Sequence, residues 1–411
     1  MQSSSLRTAY WRGSNLNYGV VKLPNMKPFN ILRVVYDWPP PWDGLAPAPY
    51  ELSKSQIALG NKVIALTGGL GGRKFIHRKF KKVEDNGRLV VYNLPRAIKK
   101  LGPFFTTSLF VIPYYLVLRI FRKVNIVHGH GHIMLWFNVY KLIFGKIDKI
   151  PYIAHFHITG AGREELLAKR GYKLDFFTKF VEYPLHKLSD KLGIRVADAC
   201  IFVSKDLISE AQKFYNADKD KCFLMESGVN TAIFNENQKV KREKEILFVG
   251  MVDSRKNPDL IIRGLKYLKG FKAVFVGRGS ESYINELIAL AKKEKVAEKI
   301  KFEGYVPYKE LLPFYRRASV FVLPSLYEGL PKVVLEALSC GTPVVASGFA
   351  VKSPINGLYI YESFTPKDLA DKIISVSKES QKVDTEFIEN FYSWNCRALE
   401  IQRIYEKIVS Q

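Results

Sequence analysis

Leu323 to Ser347, LPSLYEGLPKVVLEALSCGTPVVAS, lays down a strand, a loop and a helix in that order. The apolar run Val320 to Leu323 has strand length, and a Pro-Ser turn breaks it before a helical pattern begins near Pro331. Proline suits a first helical position because its missing N–H would be unpaired there, and Gly341 suits the position just past the last turn. Val333, Val334, Ala337 and Leu338 share one buried face. That face leaves Glu328 in the loop and Glu336 on the helix unexplained, eight residues apart. The helix start beside Gly329 and Leu330 is suited to an anion, because free N–H groups and the helix dipole point at whatever docks there. A diphosphate fits such a place. Glu336 lies roughly 8 Å further along the helix, the reach from a phosphate to a ribose.

The stretch resembles the signature of the nucleotide-sugar glycosyltransferases of family 4, in which Glu, seven residues and Glu precede an Ala-Leu-Ala-x-Gly-x-Pro-Val-Val type run. Glu328, Glu336 and Ala337 to Val345 carry the match. The resemblance implies an α/β chain of the GT-B kind: two Rossmann-like, doubly wound parallel-sheet domains face each other across a cleft, and a C-terminal helix crosses back to the first. It implies retention of anomeric configuration and no bound metal.

Length and composition suit that expectation. A chain of 411 residues has room for two or three domains, and 47% hydrophobic with 25% charged residues is globular rather than disordered. Cys200, Cys222, Cys340 and Cys396 show no paired spacing, so no disulfide framework or cysteine metal cluster is expected. With no apolar leader in the polar stretch Met1 to Phe29, they read as reduced thiols of a cytoplasmic protein. A formal charge of +24 calls for an anionic partner. With no arginine-aromatic nucleic-acid motif, the expectation falls on a phosphorylated acceptor or on the cytoplasmic face of an anionic membrane.

Along the chain, Ile31 to Tyr36 and Asn61 to Thr67 read as strands around a helix from Pro49 to Leu59, and their alternation predicts a parallel sheet. Gly44 stands where the family carries an acceptor-side glycine loop. Gly68 to Lys82, the most basic stretch, reads as a charged loop able to meet lipid head groups. Leu101 to Leu118 carries no charge over 18 residues, the threshold for a membrane span. Thr106, Thr107, Ser108 and Pro113 interrupt it, so burial within the domain is expected, with interfacial docking second. VNIVHGH and PYIAHFH read as neighbouring strands that, with His132 just past the first, gather five of the seven histidines. Through the resemblance, His157 faces the donor sugar and His130 lies on the acceptor side.

Phe176 to Leu192 reads as an amphipathic helix, and Asn235 to Lys244 as a linker. The expected organisation is an extension over 1–29, an acceptor domain over 30–234, a linker over 235–244, a donor domain over 245–390 and a crossover helix over 391–411. In the donor domain, Gly250 ends a strand and Lys256, six residues on, matches the family's diphosphate lysine. Met251 replaces the family's arginine, and Arg255 stands close enough to supply a charge. Val306 falls in FEGYVP, which resembles the family's segment against the nucleotide base. The resemblance makes Glu336 the ribose ligand, Glu328 the holder of sugar hydroxyls, and Lys256 with the N–H groups of Gly329 and Leu330 the stabilisers of the departing diphosphate. It implies a hexosyltransferase that takes a nucleoside diphosphate sugar and a glycan or lipid-linked hydroxyl acceptor. An epimerase or phosphorylase on the same frame, or a non-catalytic basic subunit associated with membrane or RNA, are the other readings.

Overall fold

The computed structural model describes residues 27–39, 46–68, 80–95, 103–121, 123–169, 176–236, 240–326, 328–349, 351, 354–363, 365–378 and 383–410. Gly44, most of the amino-terminal extension and most of the basic stretch after Gly68 lie outside them.

Apolar runs alternating with amphipathic helices build two sheets. The first contains β1 (Asn30–Val35), β2 (Lys62–Thr67), β3 (Lys81–Glu84), β4 (Leu89–Asn93), β5 (Ile126–His130), β6 (Tyr152–Phe156), β7 (Ala199–Phe202) and β8 (Cys222–Leu224). Their spatial order is β3-β4-β2-β1-β5-β6-β7-β8. The second contains β9 (Glu243–Val249), β10 (Lys272–Val276), β11 (Ile300–Gly304), β12 (Ala318–Leu323), β13 (Val344–Ala346) and β14 (Leu358–Ile360), ordered β11-β10-β9-β12-β13-β14. Neighbouring strands run parallel except β3 against β4. Strands covered on both faces are continuous apolar runs, which is why VFVL is legible as a strand, while ILRVV keeps that character apart from Arg33. The antiparallel β3–β4 hairpin was not expected, because an exposed edge strand reading KKVE looks like charged loop.

The uncharged stretch beginning at Leu101 does not form one long helix. It contributes two short ones, Pro103–Ser108 and Val111–Ile120, and the second buries Val111, Tyr115 and Leu118 in the core. Among the described residues no helix is long and apolar enough to cross a membrane.

The expected linker is held more firmly than its polarity suggests. Arg242 donates to the carbonyls of Ala318 at 2.8 Å and Cys340 at 3.1 Å and to Thr342 Oγ1 at 2.8 Å, and β9 starts at Glu243. Val229 and Phe234, placed in the first domain by sequence, pack into the core of the second. The helix Trp394–Val409 returns to the first domain, where Trp394, Ala398, Ile401, Tyr405 and Ile408 share a core with Ile31, Val63 and Ile126.

Candidate active site

In parallel sheets ligands gather beyond the carboxyl ends of the strands, and here the two sets of strand ends face one cavity of about 590 Å³. The first domain contributes His130 at the end of β5, His157 after β6, and Glu226 and Ser227 after β8. The second contributes Gly250 and Met251 after β9, Arg278 after β10, Tyr305 and Val306 after β11, and Glu328, Gly329 and Leu330 from the loop after β12. Arg255, Lys256, Lys332 and Glu336 complete that wall. Every site residue expected from sequence lines this cavity except Gly44, which lies outside the described residues.

The glycines at two strand ends are required by close approach. A Cβ at Gly277 would lie 1.8 Å from the Gly250 carbonyl oxygen, and both residues hold left-handed φ values of +142° and +147°. Past Gly250 the chain makes a tight turn, Ser254–Lys256, in which Asp253 accepts the Lys256 N–H at 3.0 Å. That turn aims Lys256 back at the cleft, with its Nζ 2.9 Å from Glu328 Oε1. Arg255 Nη1 reaches the same oxygen at 2.9 Å, and Ser325 Oγ donates to it at 3.2 Å. Glu328 is further pinned by its backbone, whose N–H donates to the Gly348 carbonyl at 2.7 Å.

The helix after this loop is Lys332–Ser339, and Pro331 is its N-cap rather than its first helical residue. Pro331 keeps an extended ψ of 133° while its carbonyl accepts the Val334 N–H, so Lys332 takes the first position. Leu330, Pro331, Lys332 and Val333 all line the cavity, which places the positive end of the helix in its wall. Glu336 follows one turn after Lys332. It is buried, and its Oε2 accepts the Tyr315 hydroxyl at 2.7 Å. Burial raises its carboxyl above the usual range, against the opposing charge of Lys332. Behind the wall, Glu51 accepts from Asn230 at 2.8 Å and adds a further charge near Lys332.

Opposite, the histidines form a stacked ladder. His128 and His130 rings lie 4.6 Å apart, His155 and His157 4.4 Å apart. His130 Nδ1 meets His157 Nε2 at 3.1 Å, and His130 Nε2 meets Arg33 Nη1 at 2.9 Å. His128 pairs with Tyr405 at 2.7 Å and with His155 at 3.1 Å. The ligand atoms of His128, His130 and His155 lie within 4.8 Å of one another, a spacing that a metal ion could span. Both nitrogens of His130 are engaged, however, and one faces a buried guanidinium, so the set does not fit a dication.

Burial lowers the pKa of all four rings, and that of His157 is pushed down to about 3 with help from the Lys332 charge across the cleft. They are neutral when folded, while unfolded histidines take a proton near pH 6.5. Below that pH the unfolded chain binds more protons, so stability rises with pH in this window and is lost on acidification. Stability should drop by up to about 1.4 kcal/mol per pH unit for each ring between pH 6.5 and 5. Denaturant titrations across that range check it, and a flat profile would mean that the folded histidines accept protons.

Sequence reasoning missed Lys332, Arg278, Glu51 and Arg33. Lys332 and Arg278 carried a usable signal, a cation directly at a helix start and a cation directly after the strand-end glycine Gly277. Arg278 lies beside Met251, since its carbonyl accepts the Val252 N–H at 2.7 Å, and its guanidinium stacks 4.3 Å from the Tyr305 ring. Glu51 and Arg33 owe their positions to partners far away in the chain.

Residues 42–233 match the family model Glycosyltransferase Family 4, and residues 229–394 match Glycosyl transferases group 1. An uncharacterized glycosyltransferase of Methanocaldococcus jannaschii is 29% identical over 288 residues, 63% of this chain and 70% of the relative. Sucrose-phosphate synthase from Thermosynechococcus elongatus superposes with a TM-score of 0.72 at 16% identity, covering 92% of this chain and 99% of the other. Anabaena HepE, solved in complex with UDP-glucose, superposes with a TM-score of 0.66 at 15% identity over 92% and 99% of the two chains. At such identities the solved structures speak for the fold alone. The two family models meet end to end across the same two domains that enclose the cleft, and the chain belongs to the glycosyltransferases of the group 1, family 4 type.

Proposed function

We propose that this glycosyltransferase moves a hexose from a nucleoside diphosphate sugar to a hydroxyl of a glycan or lipid-linked acceptor, with retention of anomeric configuration. The observation that carries the reading is the convergence of Lys256 and Arg255 on Glu328, beside a helix start that carries Lys332. A departing diphosphate gains negative charge, and these cations with the N–H groups of Gly329 and Leu330 stand ready to meet it. The bond from the anomeric carbon to the phosphate oxygen breaks, and the acceptor oxygen bonds to that carbon on the same face. The acceptor proton passes to the departing phosphate oxygen, so no side chain has to serve as nucleophile or strong base.

In this reading Glu336 takes the ribose hydroxyls and Glu328 the sugar hydroxyls. His157 orients the sugar from the first domain, and His130 stands on the acceptor side. Gly250 lets the backbone close on the donor, while Val306 and the Arg278–Tyr305 pair form a flat wall for the base. No metal has a part in it. The UDP-glucose bound by Anabaena HepE puts UDP sugars first among the donors to try.

Thermal unfolding with UDP, GDP, ADP and their sugar conjugates tests the proposal. A ligand at a hundred times its Kd should add about 2.7 kcal/mol of stability, visible as a rise in Tm. A rise with one nucleotide supports the donor site, and no rise with any of them overturns it.

A further inference from the structure

We propose that the outer helical face of the first domain docks on an anionic lipid bilayer. The inference does not rest on the donor chemistry. The helices Val111–Ile120, Leu135–Phe144 and Tyr183–Val196 pack on one side of the first sheet, sharing a core through Tyr115, Phe137 and Ile194. Outward faces of such helices are ordinarily polar. On the first two and their carboxyl ends they are apolar: Ile120 is 74% exposed, Phe121 65%, Ile143 63% and Ile147 84%, with Val117 and Phe144 exposed beside them.

These side chains form one patch rather than scattered surface residues. Tyr115 and Arg119 of the first helix and Tyr140 of the second all bond to Asp148, which sets the carboxyl ends of the two helices side by side. Exposed apolar side chains gathered in this way mark an interaction site.

Its charge selects the occupant. Lys123, Lys146 and Lys149 are exposed around the patch, and the acid among them, Asp148, is already engaged by Tyr115, Tyr140 and Arg119. On the neighbouring helical segment, exposed Phe180 and Leu188 alternate with Lys179 and Lys191. Apolar groups that reach the acyl boundary among lysines that reach anionic head groups suit a bilayer surface. A second copy of this chain would set the same cations against one another at a formal charge of +24 each. By sequence, lipid contact is expected of Gly68 to Lys82 and, second to burial, of Leu101 to Leu118; among the described residues the exposed apolar side chains of this face centre on 116–121 and 142–147.

Flotation of the full chain with vesicles tests this. The protein should float with phosphatidylcholine–phosphatidylglycerol vesicles and far less with phosphatidylcholine alone. Ile120→Ser with Ile143→Ser and Ile147→Ser should lower binding by about tenfold or more, with Tm and nucleotide-induced stabilisation unchanged. The proposal is overturned if the wild-type chain stays in solution with anionic vesicles, or if the triple variant floats as the wild type does. It is overturned equally if light scattering shows a wild-type dimer that the triple variant dissolves.

Discussion

Lys256→Ala should lower kcat by about a hundredfold or more, the usual effect of removing one preorganised charge contact from a transition state. The geometry makes this a clean substitution. Glu328 keeps Arg255 at 2.9 Å and Ser325 at 3.2 Å when the lysine is gone, so the carboxylate stays held. What is lost is the buried cation itself, whose side chain is 11% exposed against 39% for Arg255. Charge in a water-poor site acts more strongly than charge near solvent, so Arg255→Ala should cost less than Lys256→Ala. Met251 supplies no charge where the family places an arginine, which leaves more of the task to the lysine. Steady-state rates for the two variants with the donor found by thermal shift check the prediction. Full turnover in Lys256→Ala would remove that residue from the chemistry.

Glu336→Ala should weaken nucleotide binding by roughly tenfold to a hundredfold, since hydrogen bonds to a charged group are worth about 1.5–3 kcal/mol. Tyr315 holds one oxygen of this carboxylate at 2.7 Å, and the residue lines the cleft. The control is Tyr315→Phe, which removes the hydroxyl that orients the carboxylate and leaves the carboxylate in place. It should lower affinity less than Glu336→Ala does. Calorimetric titration with the stabilising nucleotide measures both, and an unchanged Kd in Glu336→Ala would exclude the ribose role.

The second domain was largely legible in the sequence because its strands are apolar runs buried on both faces, and because the loop and helix after β12 carry their chemistry within one local stretch. Glu328, Gly329, Leu330 and Glu336 fall within nine residues of one another. Pro331 misled by one position, since a proline fits an N-cap as well as the first turn. The first domain was harder to read. Its histidines were visible as strand ends, but Arg33 looked like an ordinary charge in ILRVV, and its burial depends on His130, Gln56 and Tyr405, which no local pattern ties to it. Glu51 likewise gains its place from Asn230, 179 residues away.

The helix Trp394–Val409 has a consequence for the order in which the molecule forms. Gln56 bonds to Tyr405 across 349 residues, and Asn61 bonds to Gln402 across 341. One face of the first sheet, with Ile31, Val63 and Ile126, is covered by side chains that leave the ribosome only after the whole second domain has been made. During synthesis that face stays open to solvent and to chaperones while the later domain folds beside it. The domain translated first is therefore the one completed last.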